Sequence, residues 1–377
     1  MQDQERRDRV LLARSEGIGP ISFRRLLLRY GSARAALKSL PDLAAKSGFT
    51  RFATPTPAAL DREQANLHKI GARLLVWGDP EYPSALADLP DAPPVLSVAG
   101  DIALLSRRSI AIVGSRNASL NGQRMAEQLS ADLAASGLVV VSGLARGIDT
   151  AAHQGAMITG KTIAVVAGGV DIAYPPENAA LQTKIGAEGA VISEAPFGTD
   201  PQARHFPRRN RIIAGLALGV VVVEAAPRSG TLITAREAQE AGREVFAVPG
   251  SPLDPRARGA NDLIRQGAIL TETAQDVLAH LPERPRPGGL FQSDEFRTGG
   301  LADAQDPFNV AVDEVGEAKK IIPELLGPAP TDVDDLLRRC QFSASAMMAA
   351  LLELELDDQI ILVAGNRVVL ADGLRRS

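Results

Sequence analysis

Apolar positions recur along this chain with different spacings in successive stretches, and each spacing predicts a different kind of element. From Gln4 to about Gly71, Leu11, Leu12, Ile18, Ile21, Leu26, Leu27 and Leu37 fall at helical intervals, which predicts short helices. Gly17-Ile18-Gly19-Pro20 and Gly31-Ser32 interrupt the pattern and predict the turns between them. A G-x-G turn joining short helices suits a helix-hairpin-helix, whose turn amides can meet a nucleic-acid phosphate. A plain interhelical turn suits the same residues equally well. Thr50–Pro57 is expected to be a connection, and Leu74–Trp77 and Val95–Val98 short strands around a Pro-rich loop.

From Ser109 the spacing changes to continuous apolar runs separated by helical stretches. Ser109–Val113, Leu138–Val141, Thr162–Ala167, Ala190–Ser193, Val220–Val223 and Glu244–Val248 predict strands, with helices over about Gly122–Ser136 and from near Ile148. Buried strands alternating with helices imply a parallel sheet covered on both faces. The fold class expected is α/β: an extended Rossmann-like, doubly wound parallel sheet. Pro282–Pro307 has no apolar period and is rich in Pro, Gly and charge, as a linker is. Asp332–Arg339 and Ser345–Leu356 then predict helices, and Ile360–Val363 and Arg367–Leu370 a hairpin about Gly365-Asn366, which is a winged-helix layout. The expected domains are residues 1–72 (helical, SAM or helix-hairpin-helix-like), 73–281 (Rossmann-like), 282–326 (linker) and 327–377 (winged-helix-like).

The βα turns are built of small residues: Gly114-Ser115, Ser142-Gly143, Gly168-Gly169 and Ser229-Gly230-Thr231. In an open parallel sheet they sit at the strands' carboxyl edge, where ligands bind, and small residues let backbone amides approach an anion. Arg116 and Arg146 stand beside these turns, and Arg208, Arg209, Asn210 and Arg211 form a dense basic run ahead of β-forming Gly219–Val223. Arginine forks with amides at a helix start suit a surface that grips phosphate.

Nucleotide-enzyme signatures are missing or misplaced. The first βα turn is G-S-R-N, not the dinucleotide fingerprint. Gly155–Thr162 matches the Walker A string but follows a helical stretch and opens a strand, the inverse of a phosphate loop. His153 and His205 lack a matching nucleophile and acid, so structural hydrogen bonding is expected of them. Asp149, Asp171, Glu194 and Glu224 lie where caps occur, and Tyr174 and Phe206 are expected to pack in the core, although either could stack on a base. No catalytic residue, metal or cofactor is expected.

Composition adds limits. A net charge of −4 and pI near 5.7 mean that any nucleic-acid site must be a local patch. The lone Cys340 excludes an internal disulfide framework or a cysteine metal cluster. The charged N-terminus is unlike a signal peptide, and no apolar run approaches a membrane span, so a cytoplasmic location is expected. The stretch Ser345–Gln359 carries Glu353, Glu355, Asp357 and Asp358 without Lys or Arg, which suits partner docking or autonomous packing better than a DNA groove.

GSR at 114–116, SGLARGIDTAAH at 142–153, YPPEN at 174–178, FPRRNRIIAGL at 206–216, SGTLITAREA at 229–238, VFAVPG at 245–250 and GANDLIRQGA at 259–268 resemble the DprA/Smf family of DNA-processing proteins. The resemblance implies a non-enzymatic single-stranded-DNA-binding recombination mediator. Such a protein protects incoming strands during natural transformation, helps load RecA recombinase and forms a homodimer. It also implies that Gly114, Ser115, Arg116, Ser142, Gly143, Arg146, Arg208, Arg209, Asn210, Arg211, Ser229, Gly230 and Thr231 contact DNA. Pro176, Glu177 and Ala179 are not basic, unlike the lysine some members carry near YPPEN. The competing class, a Rossmann-like phosphoribohydrolase, requires a glutamate where this chain has Thr234 and a glycine where it has Arg228.

Overall fold

The computed structural model describes residues 3–46, 53–227, 229–282, 312–327, 331–333, 336, 350–351, 354, 359–363 and 367–370. The chain divides into two compact units, Met1–Leu40 with Phe52–Ser293, and Pro41–Arg51 with Asp294–Ser377.

The first unit opens with α1 (Asp3–Ala13), α2 (Pro20–Tyr30), α3 (Ala33–Lys46) and α4 (Pro57–Lys69). Pro20 starts α2, where its missing N–H costs nothing, and Gly31 ends it at φ 72°, a left-handed cap open to glycine. Val10, Leu11, Leu60 and Leu67 on α1 and α4 pack with Leu74, Val76, Val166, Val170 and Ile185. The helical segment thereby covers part of the sheet described next.

That sheet contains β1 (Ala72–Val76), β2 (Val95–Gly100), β3 (Ser109–Gly114), β4 (Val139–Ser142), β5 (Lys161–Val165), β6 (Ala190–Ser193), β7 (Gly219–Val223), β8 (Glu244–Ala247) and β9 (Ile269–Leu270). Its nine strands run in the order β1-β2-β6-β5-β4-β3-β7-β8-β9. From β6 to β9 every pairing is parallel, as the apolar runs predict. β2 adds antiparallel to β6, and β1 antiparallel to β2. The segment between β1 and β2 holds only the one-turn helix α5 (Ser84–Ala87), whereas a parallel crossover usually carries a full α-helix. The strands are almost entirely buried, because α6 (Leu120–Ala135), α7 (Ile148–Thr159), α8 (Ala179–Glu188), α9 (His205–Leu216), α10 (Gly230–Glu240), α11 (Arg258–Arg265) and α12 (Ala274–His280) cover both faces. The chain passes from β3 to β4 on one side and returns to β7 on the other, so the strand order switches between β3 and β7.

The second unit contains α13 (Val312–Leu325), β10 (Thr331–Asp332), β11 (Ile360–Val363) and β12 (Arg367–Leu370). The last two pair as the predicted hairpin, and β10 adds to β12. Helix α13 lies within residues 282–326, the stretch expected to be linker. Ala318, Ile322 and Leu326, four residues apart, form an apolar stripe that packs with Val333, Leu336, Leu351, Ile360 and Val368. Residues 283–311 and most of the predicted helices at 332–339 and 345–356 lie outside the described residues.

Candidate nucleic-acid interface

The parallel strands all end on one edge, and the βα turns meet there most closely between β3 and β7. Gly114 closes β3 against β7 so tightly that an added Cβ would lie 1.9 Å from the Val223 carbonyl oxygen. Beyond it, Ser115 donates its N–H to the Glu224 carbonyl at 2.8 Å and its own carbonyl receives the Ile148 N–H at 3.2 Å. Gly147, at φ 73°, faces the Ser115 and Arg116 carbonyls at distances a Cβ could not share. Thr231 Oγ1 donates to the Gly114 carbonyl at 3.0 Å. Ser229 caps α10 by accepting the Thr231 N–H at 3.2 Å, and Gly230 is exposed. The structure therefore brings Gly114–Arg116 and Ser229–Thr231 together at the switch point. Arg228 lies outside the described residues.

Among the described residues on this side, Arg116, Arg146, Arg204 and Arg208 reach solvent. The Arg116 guanidinium stands 4.9 Å from the centroid of the Phe206 ring, a cation–π contact that orients it without neutralising it. Tyr174 packs against Phe206 at 5.6 Å and is 46% exposed, so it is not the core residue expected of it. Arg146 is paired with Glu177 through its Nε, both side chains facing solvent. The Glu177 carboxylate is held below its usual range by a hydrogen bond to its own backbone and by Arg146.

The basic run of Arg208, Arg209 and Arg211 does not present a single exposed cluster. The run is the first part of helix α9, which the apolar pattern did not signal. On a helix, neighbouring side chains point in different directions. Arg208 faces out, while Arg209 and Arg211 are 5% and 8% exposed. Arg209 donates through Nη1 to the carbonyls of Gly143 and Val165, capping the ends of β4 and β5. Burial lowers its pKa to about 10, with Asp149 opposing, so it stays a cation at neutral pH. Arg211 donates to both Glu194 oxygens at 2.7 Å and lies 3.3 Å from Asp91. It staples α9 to the end of β6 and the loop before β2. Asn210 donates to the Gly230 carbonyl at 3.4 Å, which ties α9 to the α10 turn.

Beneath these arginines lies a buried polar layer. Asp149 accepts the N–H groups of Gly143 and Ala145 at 3.2 and 3.3 Å. Burial raises its pKa, and Arg209 pulls the other way. His153 is fully buried, with Nδ1 2.7 Å from Thr162 Oγ1. Because that hydroxyl donates to the Val140 carbonyl at 2.8 Å, the histidine is the donor. Burial and then Arg209 lower the His153 pKa to about 3. Ser142 is buried and its hydroxyl donates to the Ile112 carbonyl at 2.6 Å, so its side chain supports β3 and does not face the edge. The sequence marks Glu224 only as a cap candidate and does not show that Tyr174 meets Phe206, since both roles depend on contacts between distant segments.

Sequence profiles match the chain in order: a DprA-like N-terminal HHH domain over residues 3–65, DNA recombination-mediator protein A over 73–282, and a DprA winged helix domain over 309–366. The DNA processing protein DprA of Streptococcus pneumoniae is 50% identical over 199 residues, covering 52% of this chain and 70% of that protein. Protein Smf of Escherichia coli is 40% identical over 312 residues, 81% of this chain and 78% of that one. The X-ray structure of S. pneumoniae DprA superposes with a TM-score of 0.56 and 38% identity, covering 71% of this chain and 99% of that one. A DNA processing protein A structure from Helicobacter pylori, described for its single-stranded DNA binding mode, gives a TM-score of 0.51 at 28% identity, covering 55% of this chain and 94% of that one.

Proposed function

Since the chain belongs to the DNA recombination-mediator protein A family, known as DprA or Smf, we propose that it binds single-stranded DNA, shields it, and helps load RecA recombinase onto it during transformation or recombination. The observation that carries this reading is the row of solvent-facing Arg116, Arg146, Arg204 and Arg208 along the carboxyl edge of an otherwise acidic protein. A backbone-tracking binder needs a basic groove and an aromatic surface, and the half-exposed Tyr174 beside Phe206 supplies the second. The H. pylori relative described for single-stranded DNA binding supports the same assignment.

The proposal places direct contact at Arg116, Arg146, Arg208, Gly230 and the amides of Ser115 and Thr231. Ser142, Gly143, Arg209, Asn210, Arg211 and Ser229 serve by shaping that edge. It further takes the protein to be a cytoplasmic homodimer that cleaves nothing, with the helical, Rossmann-like and winged-helix regions as separate domains. Thr234, buried on α10, stands where a phosphoribohydrolase would need its acid.

Gel shifts of single- and double-stranded oligonucleotides across a salt series test the reading. The wild type is expected to prefer the single strand. Arg116→Ala should weaken binding and flatten the slope of log affinity against log salt by roughly 0.7, one phosphate contact on a single strand. An unchanged slope sinks the assignment of Arg116. RecA filament formation on strands pre-coated with single-strand-binding protein, with and without this protein, tests the loading step.

A further inference from the structure

Arg116 rides on a turn that is gripped at both ends by one residue. Glu224, the first residue past β7, accepts the Ser115 N–H on its main-chain oxygen at 2.8 Å. Its carboxylate accepts the Ser119 N–H at 2.9 Å and the Ser119 hydroxyl at 2.5 Å. Ser119 Oγ in turn accepts the Gly122 N–H at 2.9 Å and caps α6. The carboxylate lies flush on the first turn of that helix: a Cβ added at Gly122 would sit 2.6 Å from Glu224 Cδ. Arg116 is thus held between residues 115 and 119, each anchored on Glu224.

The backbone of Glu224 shows what this costs. It adopts φ 55°, a left-handed conformation that residues other than glycine avoid and that persists only where surrounding contacts demand it. That conformation turns the Glu224 carbonyl toward Ser115 while its side chain reaches Ser119. A carboxylate beside a polyanion site is otherwise a disadvantage.

We infer, resting on the DNA reading of Arg116 given above, that Glu224 is a positioning residue for DNA binding: an acid kept in the anion-binding edge because it fixes the turn presenting Arg116. The sign of the effect separates this from plain electrostatics. Removing a negative charge near bound DNA should by itself tighten binding, whereas releasing the turn should loosen it.

The test measures binding of a fluorescein-labelled oligothymidine to the full chain by anisotropy, with thermal melts as a check on folding. Glu224→Ala is expected to weaken binding about tenfold, comparable to Arg116→Ala, since hydrogen bonds to a charged group are lost. Glu224→Gln removes the same charge, but it can take the Ser119 N–H on its carbonyl and give an amide hydrogen to Ser119 Oγ. With the turn still held and the charge gone, it should bind as tightly as wild type or more tightly. The Arg116→Ala/Glu224→Ala double variant should bind no more weakly than Arg116→Ala alone, because both act through one contact. Gly122→Ala keeps every charge and pushes the carboxylate off the helix, so it too should weaken binding, and it decides the matter if Glu224→Ala does not fold.

Tighter binding by both Glu224 variants, full additivity in the double variant, or wild-type affinity in Gly122→Ala each overturns the inference while leaving the DNA contact of Arg116 intact. An Arg116→Ala protein that binds like wild type overturns both.

Discussion

His153 offers a quantitative check on the buried layer under the interface. Its ring is fully buried, it donates to Thr162, and Nε2 has no hydrogen-bond partner among the described residues. Burial, with Arg209 nearby, lowers its pKa from 6.5 to about 3. The unfolded chain therefore takes up a proton near pH 6.5 that the folded chain refuses until about pH 3. The sign follows directly: for a base whose folded pKa is depressed, the stability contribution is present above pH 6.5 and lost as pH falls toward 3. One proton of difference is worth about 1.4 kcal/mol per pH unit, so moving from pH 7.5 to 5.5 should remove about 1.4 kcal/mol through this residue alone. Asp149 and Glu194, whose pKa values burial raises, contribute with the opposite sign as they protonate, so the wild-type curve is a sum. The useful quantity is the difference between wild type and His153→Gln in denaturant melts at pH 7.5, 6.5, 5.5 and 4.5. The variant should start less stable and lose less stability on acidification. Parallel curves would mean that His153 does not change its charge on unfolding, and the burial argument would fail.

Other substitutions probe the frame around the edge. Gly143→Ala places a Cβ 2.1 Å from Arg209 Nη1; overpacking and lost charged hydrogen bonds should together cost about 3–5 kcal/mol, read as a fall in Tm. Stability within 0.5 kcal/mol of wild type would show that Arg209 has room to move. Arg211→Ala should cost about 3 kcal/mol by leaving half-buried Glu194 and Asp91 without their cation. Because Arg211 points inward, this variant, once folded, should retain the wild-type salt slope in DNA binding, and a slope reduced like that of Arg116→Ala would return Arg211 to the contact surface. Glu177→Gln frees Arg146 from its exposed partner and should tighten single-strand binding a few-fold at low salt, an effect that 0.5 M salt should abolish.

Much of the site was legible from local pattern. The turns at Gly114-Ser115, Ser142-Gly143 and Ser229–Thr231 could be placed at strand ends because a buried parallel strand announces itself as a continuous apolar run. Their small residues report the close approach of backbone to backbone, as the 1.9 Å between a would-be Gly114 Cβ and Val223 makes concrete. Helix α13 was not legible in the sequence because the stripe of Ala318, Ile322 and Leu326 is short and flanked by charge. The antiparallel pair β1 and β2 looked like any other short strand, since apolar spacing carries no direction.

The run from Arg208 to Arg211 marks the boundary between the two kinds of information. Sequence alone determined that this stretch is basic, that it precedes a buried strand, and that the sheet it joins ends in turns of small residues; these follow from composition and period, which are local. Only the tertiary structure decided which arginine faces solvent. The rotation of α9 about its axis sends Arg209 and Arg211 inward to Gly143, Val165, Glu194 and Asp91 and leaves Arg208 outside. The same holds for Glu224 and Ser119, which lie 105 residues apart in the chain. A charge acquires its role from what surrounds it, and those surroundings are assembled by packing between distant segments.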